Sequence, residues 1–340
     1  MRDFLCPRCG LRLAFENSQC LGCGSPLGFD LDSLALLVLE PGDGFRRCAN
    51  AEIATCNWIV RADASATLCR SCRLTRTRPP DDDTVGLPEF AAAEAAKRRL
   101  IVELTELALP ITGRDDDPER GLCFDLLSSV AGPVTTGHAD GVITLDLAES
   151  DDVHREQLRI SMDEPYRTLL GHFRHEIGHY YFLVLASSGE PREEFEQLFG
   201  DPDADYQAAL DRHYREGAPA DWSDSFISSY AAMHPAEDWA ETFAHYLHIR
   251  DTIDTAAAFG LAPAGATLDK PLATAAGFDH IIGIWLPLTW ALNMVNRSMG
   301  HPDLYPFVLS NAVLDKMRLV HRLVTGAAER PNDPRLLSTA

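Results

Sequence analysis

Eight of the nine cysteines of this 340-residue chain crowd into its first 72 residues, at positions 6, 9, 20, 23, 48, 56, 69 and 72. So short a stretch builds at most a small core, and something besides burial is expected to hold it together. The opening segment, MRDFLCPRCG, lacks the apolar run of a secretion signal, so the thiols are expected to bind metal rather than to pair as disulfides. Cys6-Pro-Arg-Cys9 and Cys20-Leu-Gly-Cys23, with ten residues between them, have the spacing of a zinc ribbon. Gly10 and Gly24, each following a second Cys, permit the tight turn that aims backbone amides at sulfur. Cys48, Cys56, Cys69 and Cys72 form a second, less regular set of four. The first histidine is His138, so any metal here is held by thiolates alone, in closed structural sites with no position open to a substrate. Each zinc is expected to contribute on the order of 10 kcal/mol to folding of this region.

A second pattern carries chemistry. His175-Glu176-Ile177-Gly178-His179 reads HExxH, and on an α-helix positions i and i+4 stack on one face, so both imidazoles can reach one metal ion. Glu176 flanks that face, placed to take a proton from a water at the metal. Apolar neighbours such as Phe173, Ile177, Tyr181 and Leu185 suit a buried helix, and Pro165 suits its first turn. The motif needs a third ligand. The metzincin extension would require glycine at 182 and histidine at 185, where Phe182 and Leu185 stand, so that class is excluded. The segment PAEDWAETFAH, Pro235 to His245, opens on a proline that suits a helix start and offers Glu237 and Glu241 at i and i+4. One can ligate zinc while the other holds an imidazole by its remaining N–H, and Asp238 competes for the same role. His172, His245 and His248 read as surface or core histidines.

Composition and order complete the plan. The first 80 residues carry 10 Arg against 8 Asp and Glu, so the remainder holds −23 and brings the net charge to −21. A field of that sign repels nucleic-acid backbones, and the basic cluster Arg70, Arg73, Arg76 and Arg78 reads as a solvated or domain-docking strip, so nucleic acid is not an expected partner. No run of 18 uncharged apolar residues suggests a membrane span, and a cytoplasmic location is expected. Pro79-Pro80-Asp81-Asp82-Asp83 marks a boundary between a Cys-rich region, 1–80, and a larger domain, 88–328. In the latter the pattern predicts a helix over 89–109, strands at 123–127 and 142–147, and a turn at His138–Gly141 between them. The second strand, with Ile143, Leu145 and Leu147 on one face, is expected to rim a cleft and to pair with an extended peptide. Cys123 reads as a small buried hydrophobe. Then follow the HExxH helix, an acidic connection over 188–205, helical patterns at 206–216 and 223–231 (the latter starting at Trp222-Ser223-Asp224), a helix over 235–250, closing helices near 278–298 and 306–325, and a frayed last dozen residues. The fold class is α+β: a small zinc-ribbon region, then a mainly helical domain with a short sheet.

HEIGH followed by EDWAETFAHY resembles the gluzincins. That resemblance implies Glu237 as the zinc ligand and Glu241 as the residue supporting a histidine, and Tyr230, seven residues before Glu237, matches the transition-state-stabilising tyrosine of their lethal-factor-like branch. Together with FRRCANAEIATCNWIV, LCRSCRLTRT and EPYRTLLGHFRHEIGHYYF, these stretches resemble the bacterial zinc-binding metallopeptidase family that joins an N-terminal zinc ribbon to a zincin-like domain. The implied activity is hydrolysis of a peptide or isopeptide bond in a peptide or protein substrate. It would use one catalytic zinc on His175, His179 and Glu237, with Glu176 as general base and Tyr230, or alternatively His234, as oxyanion donor. Two further zinc ions would be structural. Two alternatives stay open: a zinc-ribbon binding protein with an inactive zincin scaffold, and a metal-dependent amidohydrolase acting on a small amide.

Overall fold

The structure, a computed structural model, describes residues 2–161, 166–262 and 275–329. The chain is α+β, with small sheets towards its start and helices through the rest. It divides into two compact units, Met1–Leu104 with Ile111–Leu170, and Thr105–Pro110 with Gly171–Ala340.

The first unit begins with three antiparallel ribbons: β1 (Phe4–Leu5) on β2 (Arg12–Leu13), β3 (Leu27–Asp30) on β4 (Ala35–Val38), and β5 (Phe45–Arg47) on β6 (Ile59–Arg61). None could stand alone at this length. They share a small core in which Phe4, Phe15, Phe29 and Trp58 are buried together with Leu27 and Leu36, with ring centroids 4.8 Å apart for Phe15 and Phe29 and 5.2 Å for Phe29 and Trp58. A single helical turn, α1 (Arg70–Arg73), starts at Cys69 and leads into β7 (Thr75–Thr77). Next comes α2 (Gly86–Glu106), which starts three residues before the predicted Glu89 because the Asp83 carboxylate accepts a 2.7 Å hydrogen bond from the Gly86 amide.

β7 joins β8 (Cys123–Leu127), β9 (Gly137–Ala139) and β10 (Val142–Asp146) in a sheet of order β7-β8-β10-β9, parallel except for the β9–β10 hairpin. The two residues between β9 and β10, Asp140 (φ 47°) and Gly141 (φ 81°), make the left-handed turn that suits such a hairpin. A Cβ on Gly141 would lie 2.3 Å from the Arg120 carbonyl, so glycine is required there. His138 and Ala139, expected in a turn, are therefore strand residues. Their strand covers the outer edge of β10 over Val142–Thr144, so β10 is an interior strand, and this corrects the expectation that it pairs with a peptide. Ile143, Leu145 and Leu147 are fully buried, as the alternation predicts, and Cys123 is buried beside them. α3 (Asp152–Ser161) closes the unit.

Three of the four arginines of the basic cluster form ion pairs, Arg73 with Asp115 (2.8 Å), Arg76 with Asp125 (3.0 Å) and Arg78 with Asp81 (2.7 Å), while Arg70 donates to the Ile111 carbonyl at 3.5 Å.

The second unit is helical: α4 (Leu169–Leu185), α5 (Gly189–Phe199), α6 (Tyr206–Glu216), α7 (Pro235–Ala258), α8 (Ala275–Ser298) and α9 (Asn311–Glu329). α7 packs against α5, α8 and α9. Its fully buried Trp239 meets Phe195 and Phe199 of α5, which stack on one another 4.8 Å apart, while Phe243 packs on Trp239 and on Tyr181 of α4.

Three sequence expectations are corrected. The acidic connection over 188–205 contains α5, because Phe195 and Phe199, spaced i and i+4, give it one apolar face among the acids. Residues 223–231 do not form a helix; a 3₁₀ turn over Trp222–Asp224 runs into turns where the Ser228 hydroxyl accepts from the Ala231 amide, local bonding that competes with a helix. The last helix begins at Asn311 rather than near 306. Pro165, expected in the first turn of α4, and residues 330–340 of the frayed end lie outside the described residues.

Candidate metal centre

The site is assembled by two helices that can approach closely because one residue lacks a side chain. Gly178, inside HEIGH, faces α7, and a Cβ there would lie 2.9 Å from the Cα of Ala240 and 3.1 Å from its carbonyl oxygen. The Trp239 indole N–H donates to the Gly178 carbonyl at 2.8 Å, fixing the crossing. With the backbones this close, carboxylates from the first two turns of α7 reach the histidine face of α4.

His175 and His179 project from α4 with ring centroids 5.1 Å apart. His175 Nε2 lies 3.0 Å and His179 Nε2 3.6 Å from the same oxygen, Oε2 of Glu237. Ligand atoms of these three residues all fall within 4.8 Å of one another. The other face of His175 is held separately: its Nδ1 lies 2.7 Å from Glu241 Oε1, and the Ser228 hydroxyl donates to Glu241 Oε2 at 2.7 Å. Asp238 points elsewhere, to a 2.6 Å ion pair with Lys316. Glu237 and Glu241, four residues apart on α7, thus meet the two nitrogens of one imidazole from two sides.

The electrostatics of this cluster favour a cation. Burial opposes charge on His175, yet the Glu237 and Glu241 carboxylates outweigh it and raise its pKa well above the usual histidine value. Burial likewise opposes ionisation of the two acids, and the histidines overcome it: Glu237 is pushed far below the carboxylate range by His175 and His179, and Glu241 is held at about 2, chiefly by His175. Two anions and two imidazoles arranged this way are stabilised by positive charge at their centre, and a divalent ion with nitrogen and oxygen ligands, such as zinc, matches the donor set. Glu176 supplies a further sign of fit. It is only 6% exposed, and among the described residues its Oε2 has no hydrogen-bond partner, a costly arrangement for a carboxylate unless something at the site engages it.

Tyr230 approaches from the loop before α7, its ring centroid 6.1 Å from that of His175. Burial, reinforced by Glu237, raises its pKa, so its hydroxyl keeps its proton and can donate. His234, the alternative donor, is otherwise engaged. It caps α7, its Nδ1 accepting from the Ala236 amide at 3.1 Å, while Nε2 donates to the Ala204 carbonyl at 3.0 Å. With both ring nitrogens on backbone, it has no proton for an oxyanion. His245 is buried with Nδ1 2.9 Å from the Tyr305 hydroxyl, consistent with a core histidine.

Three residues of the site carried no sequence signal that was used: Gly178, Ser228 and Tyr206. Tyr206 donates to Glu237 Oε1 at 2.9 Å from α6. Gly178 could have been suspected as the small residue on the inner face of an otherwise bulky helix.

The cysteines form two further clusters, Cys6, Cys9, Cys20 and Cys23, and Cys48, Cys56, Cys69 and Cys72, the sulfurs of each within 4.8 Å of one another. In the first, the amides of Gly10 (φ 74°) and Gly24 (φ 70°) bond back to the carbonyls of Cys6 and Cys20, so each CxxC-Gly forms the same tight knuckle. In the second, sulfurs accept from backbone amides, Cys48 from Cys69 at 3.2 Å and Cys69 from Cys72 at 3.5 Å, as thiolates ligating metal do. No disulfide joins any of them.

Residues 86–323 match the family described as "Putative zinc-binding metallo-peptidase", and residues 3–83 match a zinc-ribbon domain. The uncharacterized proteins Mb2598c of Mycobacterium bovis and Rv2568c of Mycobacterium tuberculosis are each 66% identical over 329 residues, covering 96% of this chain and 96% of each relative. No solved structure matches. Among the described residues no helix is long and apolar enough to cross a membrane. With residues 3–83 and 86–323 matched in order, and with clusters of zinc-ligand type in each, the chain belongs to the zinc-binding metallo-peptidase family and carries that family's domain behind an N-terminal zinc ribbon.

Proposed function

We propose that this protein is a zinc-dependent hydrolase of peptide or isopeptide bonds, with His175, His179 and Glu237 as zinc ligands and Glu241 as the acceptor that orients His175 through Nδ1. The observation that carries the reading is the convergence of two imidazole nitrogens on one oxygen of Glu237, with an unpartnered carboxylate oxygen of Glu176 on the next residue of the same helix. Zinc, when bound, supplies a Lewis acid that polarises a carbonyl and brings the pKa of water towards neutral.

The chain's own residues divide the remaining work. Glu176 takes the proton of the attacking water and returns it to the leaving nitrogen, as a general base and then a general acid. Tyr230, kept protonated by burial, donates to the oxyanion that develops on the carbonyl; one such donor is typically worth on the order of 100-fold in rate. Glu241, itself fixed by Ser228, holds the His175 ring and its tautomer. The eight clustered cysteines hold two structural zinc ions. The substrate is a peptide or protein, the acidic charge of the chain disfavours nucleic acid, and the site of action is the cytoplasm.

Glu176→Gln tests the assignment. The variant is expected to keep three zinc ions per chain and to lose hydrolysis of a quenched-fluorescence peptide library by at least about 1,000-fold, within the range a general base and its charge supply. A variant that cleaves as the wild type does would overturn the mechanism.

A further inference from the structure

Glu237 has two carboxylate oxygens, and only one faces the histidines. The other, Oε1, accepts a hydrogen bond from the Tyr206 hydroxyl at 2.9 Å. Tyr206 is the first residue of α6, and its position is itself constrained. Asp205 caps α6, its carboxylate accepting from the Ala208 amide at 3.0 Å. The carbonyl of Ala204 accepts from His234 Nε2, and the Tyr206 ring packs edge-on against the His234 ring at 5.2 Å. His234 is in turn the cap of α7, three residues before Glu237. The starts of α6 and α7 are thereby stapled together through one histidine, and the staple delivers a phenol to the outer oxygen of Glu237.

We infer that Tyr206 is a positioning residue for the metal centre: it occupies Glu237 Oε1 and so presents Oε2 alone to the ion. The inference rests on the reading of this site as a zinc site. It also gives His234 a role in place of oxyanion donor, as the residue that aligns Tyr206 with the carboxylate. A carboxylate whose outer oxygen is released can rotate or bind through both oxygens, which changes affinity and the number of positions left for water and substrate.

The experiment uses the full-length chain and its Tyr206→Phe variant, which removes one oxygen atom. Zinc affinity at the third site is measured by competition with a chromogenic chelator, while total zinc content reports the two cysteine sites. Tyr206→Phe is expected to weaken the third site by about 10- to 100-fold with both cysteine-bound ions retained. Tyr230→Phe keeps the Tyr206–Glu237 contact but removes a phenol that itself touches Tyr206, so it is expected to weaken the third site by less than Tyr206→Phe does. The zinc-induced infrared difference spectrum, which separates a carboxylate bound through one oxygen from one bound through two, is expected to change in Tyr206→Phe alone. Unchanged affinity and an unchanged spectrum in folded Tyr206→Phe would overturn this inference by itself. A wild-type chain holding zinc only on its cysteines would overturn both this inference and the hydrolase reading. Three zinc ions without cleavage of any peptide would overturn the hydrolase reading and leave the role of Tyr206 to stand or fall on the affinity and the spectrum.

Discussion

Glycine 178 shows how a single absent methyl group can decide a metal site. Two helices carrying large side chains keep their axes 8–10 Å apart, and closer approach needs a small residue at the crossing. Gly178→Ala would put a Cβ 2.9 Å from the backbone of Ala240, an atom that cannot turn aside as a side chain could. The expected cost is about 1–3 kcal/mol of stability, measured by urea unfolding, together with weaker zinc binding at the third site as Glu237 and Glu241 are displaced. Unchanged unfolding and unchanged affinity would show that α7 does not depend on this contact. Residue chemistry was otherwise marked in the sequence, though the HExxH spacing of His175, Glu176 and His179 gained its meaning only with Glu237 and Glu241, which lie on one face at i and i+4. The spacing alone did not mark which carboxylate meets which nitrogen, because both are glutamates; the gluzincin resemblance implied Glu237 on the metal side and Glu241 behind His175, and the crossing of α4 over α7 sets them so. Tyr206 and Ser228 were hidden for the same reason, as neither lies at a fixed sequence distance from the residue it holds.

Among the elements, α2 makes the most demanding connection. It is an Ala-rich helix of ordinary propensity, yet it buries Glu94, Lys97 and Arg98 almost completely. Lys97 and Glu94 pair at 2.5 Å, both touch the Thr75 hydroxyl, and Arg98 donates to the carbonyls of Ala54 and Thr55. The Cys72 sulfur lies 3.8 Å from Glu94 Oε2, so this charge cluster abuts the second set of cysteines. Lys97→Met would remove the nearer of the two cations beside Glu94, leaving Arg98 at 4.0 Å as its remaining partner. The variant is expected to lose about 3–5 kcal/mol in denaturant unfolding and to release zinc from Cys48, Cys56, Cys69 and Cys72 faster under chelator, with Cys6, Cys9, Cys20 and Cys23 unaffected. Equal release from both sets would show that the cluster does not support the metal. The helix itself was plain from its period. Its charged inner face was not, because Glu, Lys and Arg at i, i+3 and i+4 read as a solvated surface until a partner is found for each. The same logic concealed α5, whose acids dominate its composition while Phe195 and Phe199 fix its packing.

At the scale of the whole molecule, burial of ionisable groups sets how stability responds to pH, and the contributions oppose one another. Burial pushes His245 down to about 4 and His248 to about 3, so the unfolded chain takes up these protons first, and each histidine costs stability as pH falls below about 6.5. Burial raises Asp238 to about 7 and Asp254 to about 6, so the folded chain takes up those protons first and gains stability over the same interval. The wild-type curve mixes both signs, and a difference separates them. Relative to wild type, His248→Phe is expected to gain up to about 1.4 kcal/mol for each pH unit below 6.5, in urea unfolding at pH 7.5, 6.5 and 5.5. A stability difference independent of pH would mean that His248 is not held neutral. The sequence by itself determined that the first 72 residues carry two sets of four cysteines at metal-ligand spacing, and that one helix offers two imidazoles on one face with a carboxylate beside it. Only the tertiary structure showed that Glu237 Oε2 lies within 3.6 Å of both imidazoles and that the Tyr206 hydroxyl reaches Oε1. Those contacts depend on distances between separate helices, set by packing at Gly178 and by the His234 staple, and no local spacing in the chain encodes them.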